Sequence, residues 1–292
     1  VATEVLSAIV TTATWNSWTQ AQRDVYGATR QYSDLTSWAS AIQNTDWITT
    51  DQQPVAEIYD DFGAGLSINN INFNGLLADQ LTHYPIVRAA SGQEYNALTG
   101  VGAKLINTGV YYFLTYSTKL DLHQLHISNP TNSNQYLDNS RQVNTYNCFL
   151  DNVRFYSSST SYEAVNTVNI ARTVGDCFGA LTTKNCTAIG KGGGVISGKI
   201  LYNSCIATNC IGYNEIPTTD YNIFWNTTTT TCAQNNNGSA SLGAGNIDNL
   251  LTTDFTDYAN GDYSVATGSQ LIDAGTDLSV QFTTDIVGTV RG

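Results

Sequence analysis

A polar residue, then Asn, then a small residue leading into a short apolar run, recurs in the second half of this 292-residue chain. The copies are Tyr146-Asn147-Cys148-Phe149-Leu150-Asp151-Asn152, Lys184-Asn185-Cys186-Thr187-Ala188-Ile189-Gly190 and Tyr202-Asn203-Ser204-Cys205-Ile206-Ala207-Thr208-Asn209, at intervals of 38 and about 19 residues. A spacing near 20, with a near-double of it, is what a coil of that circumference gives when its turns stack, because one turn alone has no partner against which to bury its apolar face. In a parallel β-helix each turn pairs with the turns above and below, and like positions stack about 4.8 Å apart. Asn ahead of a small buried residue suits such a stack: its amide can bond the amides of its neighbours while the backbone turns a corner.

The rest of the chain agrees with strands. Charged residues make up only 12%, and Thr, Asn, Ser and Gly supply the missing polarity. Those residues compete with the helical backbone or lose entropy in it, and they favour turns and strands. From about residue 65 onward, short apolar runs are separated by Asn, Gly, Asp and Ser: residues 66–73, 85–89, 104–106 and 120–127 each read as one strand. Residues 65–290 then make roughly nine or ten turns and a rod of about 45 Å at the spacing between strands. Before them, Ser33 can cap a helix over about 34–43, in which Leu35, Trp38, Ala39 and Ile42 form one apolar stripe. Residues 47–50 and 55–59 read as extended. The expected organisation is an N-terminal docking arm (1–30), a helix and cap region (31–64), and a parallel β-helix with a closing segment (65–292). The arm, with its apolar start at 5–10 and with Trp15 and Trp18, is expected to dock either on the chain's own barrel or on a neighbouring subunit.

The ending reads Asp262-Tyr263-Ser264, Gly268-Ser269-Gln270-Leu271-Ile272-Asp273-Ala274-Gly275 and Thr284-Asp285-Ile286-Val287-Gly288, with Arg291 behind it. It resembles the closing motif of right-handed parallel β-helix proteins of the pectin-lyase-like superfamily. Upstream, Arg30-Gln31-Tyr32-Ser33-Asp34-Leu35-Thr36-Ser37-Trp38 resembles the helix that opens many phage-encoded and environmental bacterial β-helix chains, with Gln31 in place of the usual Asp. The resemblance covers about residues 30–291. It implies an all-β, right-handed parallel β-helix (solenoid) with a short N-terminal amphipathic capping helix. It implies function only broadly, because that superfamily holds polysaccharide lyases, hydrolases, tailspikes, adhesins and structural parts.

Charge and patterning exclude several classes. With 24 Asp+Glu against 12 Lys+Arg the net charge is −12, so nucleic acid is not an expected partner. The longest apolar-rich stretch, residues 101–116, is broken by Lys104, Asn107 and Gly109, and no membrane span is expected. The start lacks an initiator Met and a basic segment before residues 6–10, and reads as processed or trimmed. The six cysteines, Cys148, Cys177, Cys186, Cys205, Cys210 and Cys232, form no CxxC pair, which leaves buried thiols or one or two disulfides.

Catalysis on a sugar needs two carboxylates at a set separation, or a base with a charge-neutralising cation. Asp60 and Asp61 are adjacent, so in a strand they point to opposite faces. Asp151 with Arg154 and Asp176 with Arg172 place an acid near a cation but read equally as surface ion pairs. Asp121, His123 and His126 form a D-x-H-x-x-H run. In a strand Asp121 and His123 share a face and His126 does not, unless a turn intervenes. Gly190-Lys191-Gly192-Gly193-Gly194 has its Lys ahead of the glycines and is not a phosphate loop. The triplets at Asn185, Asn226 and Asn237 meet the glycosylation rule, though Asn185 belongs to the expected Asn stack. No catalytic, cofactor-binding or metal site is assigned, and no cofactor.

The leading expectation is a non-enzymatic structural assembly protein: a virion component, whether capsid decoration, cement or tail-associated, or a surface fibre subunit. It would dock through its N-terminal arm and uncharged flanks, as a homo-oligomer (trimer) on a larger particle or filament, at a virion or extracellular location. The alternatives are a glycan-active enzyme, lyase or hydrolase, with Asp151, Arg154, Arg172 and Asp176 on one groove, and a carbohydrate-binding adhesin. Seventeen Tyr and five Trp are more than a narrow aliphatic coil can hold, so some are expected on its outside, where glycan contact is possible.

Overall fold

The computed structural model describes residues 2–27, 31–79, 81–97, 99–109, 111–114, 118–130, 136–138, 143–153, 155–156, 163–170, 178–179, 182–184, 186–189, 200–202, 205–207, 218–220, 223–225, 234–235, 238–239, 251–257 and 262–274. Among these the chain is all-β in character, mostly strands in parallel sheets with few helices.

One sheet has ten strands in the order β2 (Gln31–Tyr32), β1 (Thr3–Ile9), β3 (Gln52–Ile58), β6 (Ile86–Ala89), β9 (Leu120–His123), β12 (Val143–Tyr146), β15 (Glu163–Val165), β18 (Thr182–Lys184), β20 (Ile200–Tyr202) and β22 (Thr218–Asp220). A second has eight: β4 (Leu66–Ile68), β7 (Lys104–Asn107), β10 (His126–Ser128), β13 (Phe149–Asp151), β16 (Val168–Ile170), β19 (Thr187–Ile189), β21 (Cys205–Ala207) and β23 (Ile223–Trp225). A third joins β5 (Ile71–Asn72), β8 (Tyr111–Leu114) and β11 (Tyr136–Asp138), and β14 (Phe155–Tyr156) pairs with β17 (Phe178–Gly179). From β3 to β11 the chain visits the three sheets in rotation, each time landing beside the strand it laid down one circuit earlier. Antiparallel pairing is confined, among the described residues, to β24 (Gln234–Asn235) with β25 (Gly238–Ser239) and β26 (Phe255–Asp257) with β27 (Asp262–Val265).

The circuit shortens along the chain. In the eight-stranded sheet Leu66 is level with Leu105, then Ile127 and Leu150 follow at steps of 22 and 23. Asn169 and Ala188 follow at steps of 19, and Ile206 and Phe224 at steps of 18. The wide early circuits have room for aromatic rings: Trp38, Phe73 and Phe113 are fully enclosed and pack in series, with centroids 5.8 and 6.3 Å apart. Further along, aliphatic Leu105, Ile127 and Leu150 stack in the same core. Inward residues of both large sheets, Ala56, Val87, Leu122 and Val143 on one side and Leu66, Leu105 and Ile127 on the other, belong to that one buried cluster.

The expected helix forms as α3 (Leu35–Ile42), with Leu35, Trp38, Ala39 and Ile42 buried. Its cap is Asp34 rather than Ser33: a carboxylate oxygen accepts the Ser37 N–H at 2.7 Å. Residues 1–30 hold more structure than was read from them. Of the two expected seats, the structure places the strand of this segment in the chain's own sheet, where β1 pairs with β3 from Thr3↔Gln52 to Ile9↔Ile58. Two short helices follow, α1 (Thr12–Ser17) and α2 (Gln20–Asp24), capped by Thr11 and Thr19. Trp15, Trp18, Tyr26 and Tyr59 pack together over Ala8 and Val10.

Three readings are corrected. Residues 66–73 form two strands, because Asn70 takes φ 49° between β4 and β5. Residues 120–127 are likewise split by Gln124, at φ 59°, into β9 and β10 in different sheets. Residues 47–50 are a turn rather than an extended piece; Asp46 accepts the N–H and hydroxyl of Thr49 at 3.0 and 2.7 Å, and Trp47 caps it by donating its indole N–H to Ile42 O.

Candidate functional site

The two-residue corner between the large sheets is the most regular feature of the described chain. β9, β12 and β15 are each followed by a residue of left-handed backbone, Gln124 (φ 59°), Asn147 (φ 52°) and Asn166 (φ 48°), and the next residue is buried before the strand of the other sheet begins. Asn and short polar residues tolerate this region best after Gly. The Asn166 amide donates to the Asn147 side-chain oxygen, so the expected Asn stack exists between these two circuits. The buried residue that follows carries the Cys ladder that such stacking leads one to expect, and adds Thr167 and a hydrogen-bonding pattern that sequence reasoning missed. Cys148 donates its thiol to Leu122 O at 3.3 Å, Thr167 its hydroxyl toward Thr145 O at 3.4 Å, and Cys186 its thiol to Ala164 O at 3.2 Å. Leu122, Thr145 and Ala164 are themselves register partners, so each corner side chain reaches back by one circuit to the same place. The signal was in the sequence as Cys, Thr, Cys and Ser at one recurring position, all X–H donors.

Cys148 and Cys186 are free thiols, and burial pushes the Cys148 thiol up to about 12. Thr167 stands between them on the intervening circuit, so they are two strand spacings, roughly 10 Å, apart and beyond disulfide reach. Cys177, Cys210 and Cys232, and the side chain of Cys205, lie outside the described residues.

The outer face of the ten-stranded sheet carries the densest polar chemistry. Alternation along each strand sends Ala56, Val87 and Leu122 inward and leaves Glu57, Arg88, His123 and Tyr146 as one register row on the other side. Ile86, Asp121 and Asn144 make the parallel row, and Glu163 stands one strand further on. Arg88 binds Glu57 through Nε at 3.0 Å and Nη2 at 2.8 Å, and binds Glu4 at 2.9 Å. Tyr26 donates to the other Glu57 oxygen at 2.6 Å, and Tyr59 meets Tyr26 at 2.6 Å. Burial and the Glu57 carboxylate together raise the Tyr26 phenol far above its usual range, so it stays a donor. Lys119 pairs with Asp121 at 3.2 Å and lies over the Tyr84 ring, and Asn144 donates to Asp121 at 2.8 Å while accepting the Glu163 N–H at 2.9 Å. Burial raises the Asp121 carboxyl, an effect that Lys119 and Asn144 only partly offset.

His123 sits between these groups, stacked on Tyr146 with centroids 4.7 Å apart and with its Nε2 enclosed without a hydrogen-bond partner. Burial first, then the nearby Arg88 and Lys119 charges, lower its pKa to about 4, so it is a neutral ring at neutral pH.

The sequence-singled residues are placed as follows. Asp121 and His123 share the outer face as expected. A turn does intervene before His126, but it carries His126 to the other sheet, against Tyr95 and Phe149 at 4.5 and 5.3 Å. The run therefore does not converge, and no cluster of three metal-ligating side chains occurs among the described residues. Asp60 accepts the Gly102 N–H at 3.0 Å, where a Cβ on Gly102 would fall 2.4 Å from Glu94 O, and Asp61 accepts the Thr11 N–H and hydroxyl at 2.9 and 2.8 Å. Both act as loop anchors. Asp151 lies on β13, level with Ser128 and Ile170 in the eight-stranded sheet. Arg154, Arg172, Asp176, the Gly190–Gly194 run, the asparagines of the three glycosylation triplets and residues 284–291 lie outside the described residues. At the described part of the closing motif, Asp254 accepts from Leu251 N, Ser269 Oγ, Gln270 N and Gln270 Nε2 at 2.8–3.0 Å, which accounts for the Ser-Gln pair in that motif.

No family model matches the chain, and neither a curated protein nor a solved structure matches it. No helix among the described residues is long and apolar enough to cross a membrane.

Proposed function

We propose that the chain is a right-handed parallel β-helix of the pectin-lyase-like kind that serves as a non-enzymatic structural assembly protein, a virion component or surface fibre subunit. The observation that carries this reading is the mutual pairing of the charged groups Arg88, Glu57, Glu4, Lys119 and Asp121 on the outer sheet face, with His123 held among them as a neutral ring. Arg88 is spent on Glu57 and Glu4, Lys119 on Asp121, and Asn144 on the bridge between Asp121 and the β15 backbone. Such groups act as struts between circuits; a catalytic acid or base has to be free to change its partner. A stack of parallel circuits that narrows along the chain, with α3 packed on its early strands through Trp38 and Phe73, supports a stiff column better than a deformable domain. With β1 paired into the sheet, docking on a larger particle rests on the outer flanks and the α1–α2 segment instead of a detachable arm, and trimerisation is the assembly we assign to the flanks. The test is recovery of the chain in purified particles or filaments at a fixed copy ratio to a major coat subunit. Its absence from all such fractions, with the protein free in solution, overturns the reading.

One observation favours a second reading, a glycan-active enzyme or adhesin. Asp121 and Glu163 stand two strands apart in one row, roughly 10 Å at the strand spacing, near the upper limit for an acid/base pair that admits a water. Tyr84 and Tyr146 flank them. New reducing ends or unsaturated uronates on incubation with polysaccharide, lost in Asp121→Asn and Glu163→Gln, would establish the enzyme. Glycan-array binding without turnover would establish the adhesin.

A further inference from the structure

We propose that His83 is a proton-dependent clasp fastening the loop at 77–83 to the turn at 46–51. The ring bonds carboxylates from two separate segments: Nδ1 meets Asp79 at 2.6 Å and Nε2 meets Asp51 at 3.1 Å. Both carboxylates are acceptors, so both ring nitrogens must carry hydrogen, and that is the imidazolium. The Thr82 hydroxyl also lies 2.9 Å from Nδ1, and Asp79 and Asp51 are the ionisable groups that act on the ring. The His83 side chain is only 12% exposed, so the ring is held in place between the two segments even where its Asp51 partner meets water.

The two contacts differ in strength. Asp79 is fixed by the N–H groups of Leu81, Thr82 and His83 at 2.8–2.9 Å; against burial, the His83 ring first and then these N–H groups hold its carboxyl well below the usual range. Asp51 has a 79% exposed side chain on a turn residue with φ 51°. When His83 loses its proton, Nδ1–H stays on Asp79 and the bare Nε2 lone pair faces the Asp51 carboxylate, so this second contact is the one that opens. The segments joined there carry Leu77, Leu81 and Ile48, which are 56%, 84% and 48% exposed. They also share the Asp46↔Leu77 bridge and the Trp47 N–H bond to Leu77 O. Asp51 O accepts the Thr3 N–H, so the turn is also the seat of β1. The clasp is closed in acid and opens as pH rises through the raised His83 pKa.

The test is a pH titration of the full chain, following the His83 imidazole by NMR alongside amide hydrogen exchange over 46–52. The expected result is a midpoint above 6.5, with exchange over 46–52, corrected for its intrinsic pH dependence, rising several-fold through that midpoint. Asp51→Asn, which keeps a residue tolerant of positive φ, should lower the midpoint and remove the linked rise in exchange. His83→Gln should give exchange independent of pH in that range. A wild-type midpoint at or below 6.5, or an Asp51→Asn titration indistinguishable from wild type, overturns the clasp.

Discussion

Asn166 does two jobs that different substitutions separate. It holds φ at 48°, which costs an ordinary L-residue roughly 1 kcal/mol, and its amide bonds Asn147 on the preceding circuit. Asn166→Ala should therefore cost about 1–3 kcal/mol in urea unfolding, and Asn166→Gly, which restores the backbone but not the bond, should cost less. Equal losses would mean that backbone conformation is not what Asn supplies. The buried position that follows it makes a chemical prediction. With the Cys148 thiol pushed up to about 12 and both Cys148 and Cys186 enclosed, neither should react with thiol reagents in the native state, and both should react once urea unfolds the chain. Rapid native labelling of either would contradict the corner geometry. The corner Asn was legible in the sequence from the copies at Asn147, Asn185 and Asn203, although Asn166 was not among the copies read and Gln124 takes the same position one circuit before Asn147. The hydrogen bonds of the ladder beside it were not legible, because Cys, Thr and Ser look unrelated until their side chains are seen to reach equivalent carbonyls.

At the scale of the element, the outer face of the ten-stranded sheet converts pH into stability through His123. A folded pKa near 4 against 6.5 in the unfolded chain means that the unfolded state binds the extra proton between those values. The sheet thus keeps its full stability above pH 6.5 and loses it as pH falls toward 4, by roughly 3 kcal/mol for this group alone. His123→Phe keeps the stack on Tyr146 and removes the proton, so the difference in urea midpoint between variant and wild type should grow in the variant's favour from pH 7 to pH 4. A constant difference would show that His123 is not buried neutral. The strands read over 85–89 and 104–106 formed as β6 and β7, where Pro85 and Gly102 stand before the runs. The strand-by-strand reading failed over residues 66–73 and 120–127, where Asn70 and Gln124 turn the chain at positive φ; the double polar steps Asn69-Asn70 and His123-Gln124, which shift the apolar alternation by one position, were the signal passed over. The face that joins Glu57, Arg88, His123 and Tyr146 was illegible for another reason. Its members lie 31, 35 and 23 positions apart, intervals set by early circuits that do not share the later repeat.

For the whole molecule, the all-β, parallel-sheet character was legible in the short apolar runs and their turns, while the segment before residue 30 had no motif to read. Its strand is integral. Removing residues 1–9 takes β1 from between β2 and β3 and uncovers the base beneath Trp15 and Tyr26. Such a truncated chain should unfold at a distinctly lower urea concentration than the full one, and an unchanged midpoint would restore the idea of a dispensable arm. Neighbouring circuits that lie level with one another are what hold this molecule together, and the most direct measurement of them is the dipolar broadening between two spin labels, carried on unnatural side chains at Ser128 and Ile170. These positions are two strands apart through Asp151, so stacked parallel circuits predict a backbone separation of roughly 10 Å and strong broadening. Spectra that equal the sum of the two singly labelled proteins would contradict it.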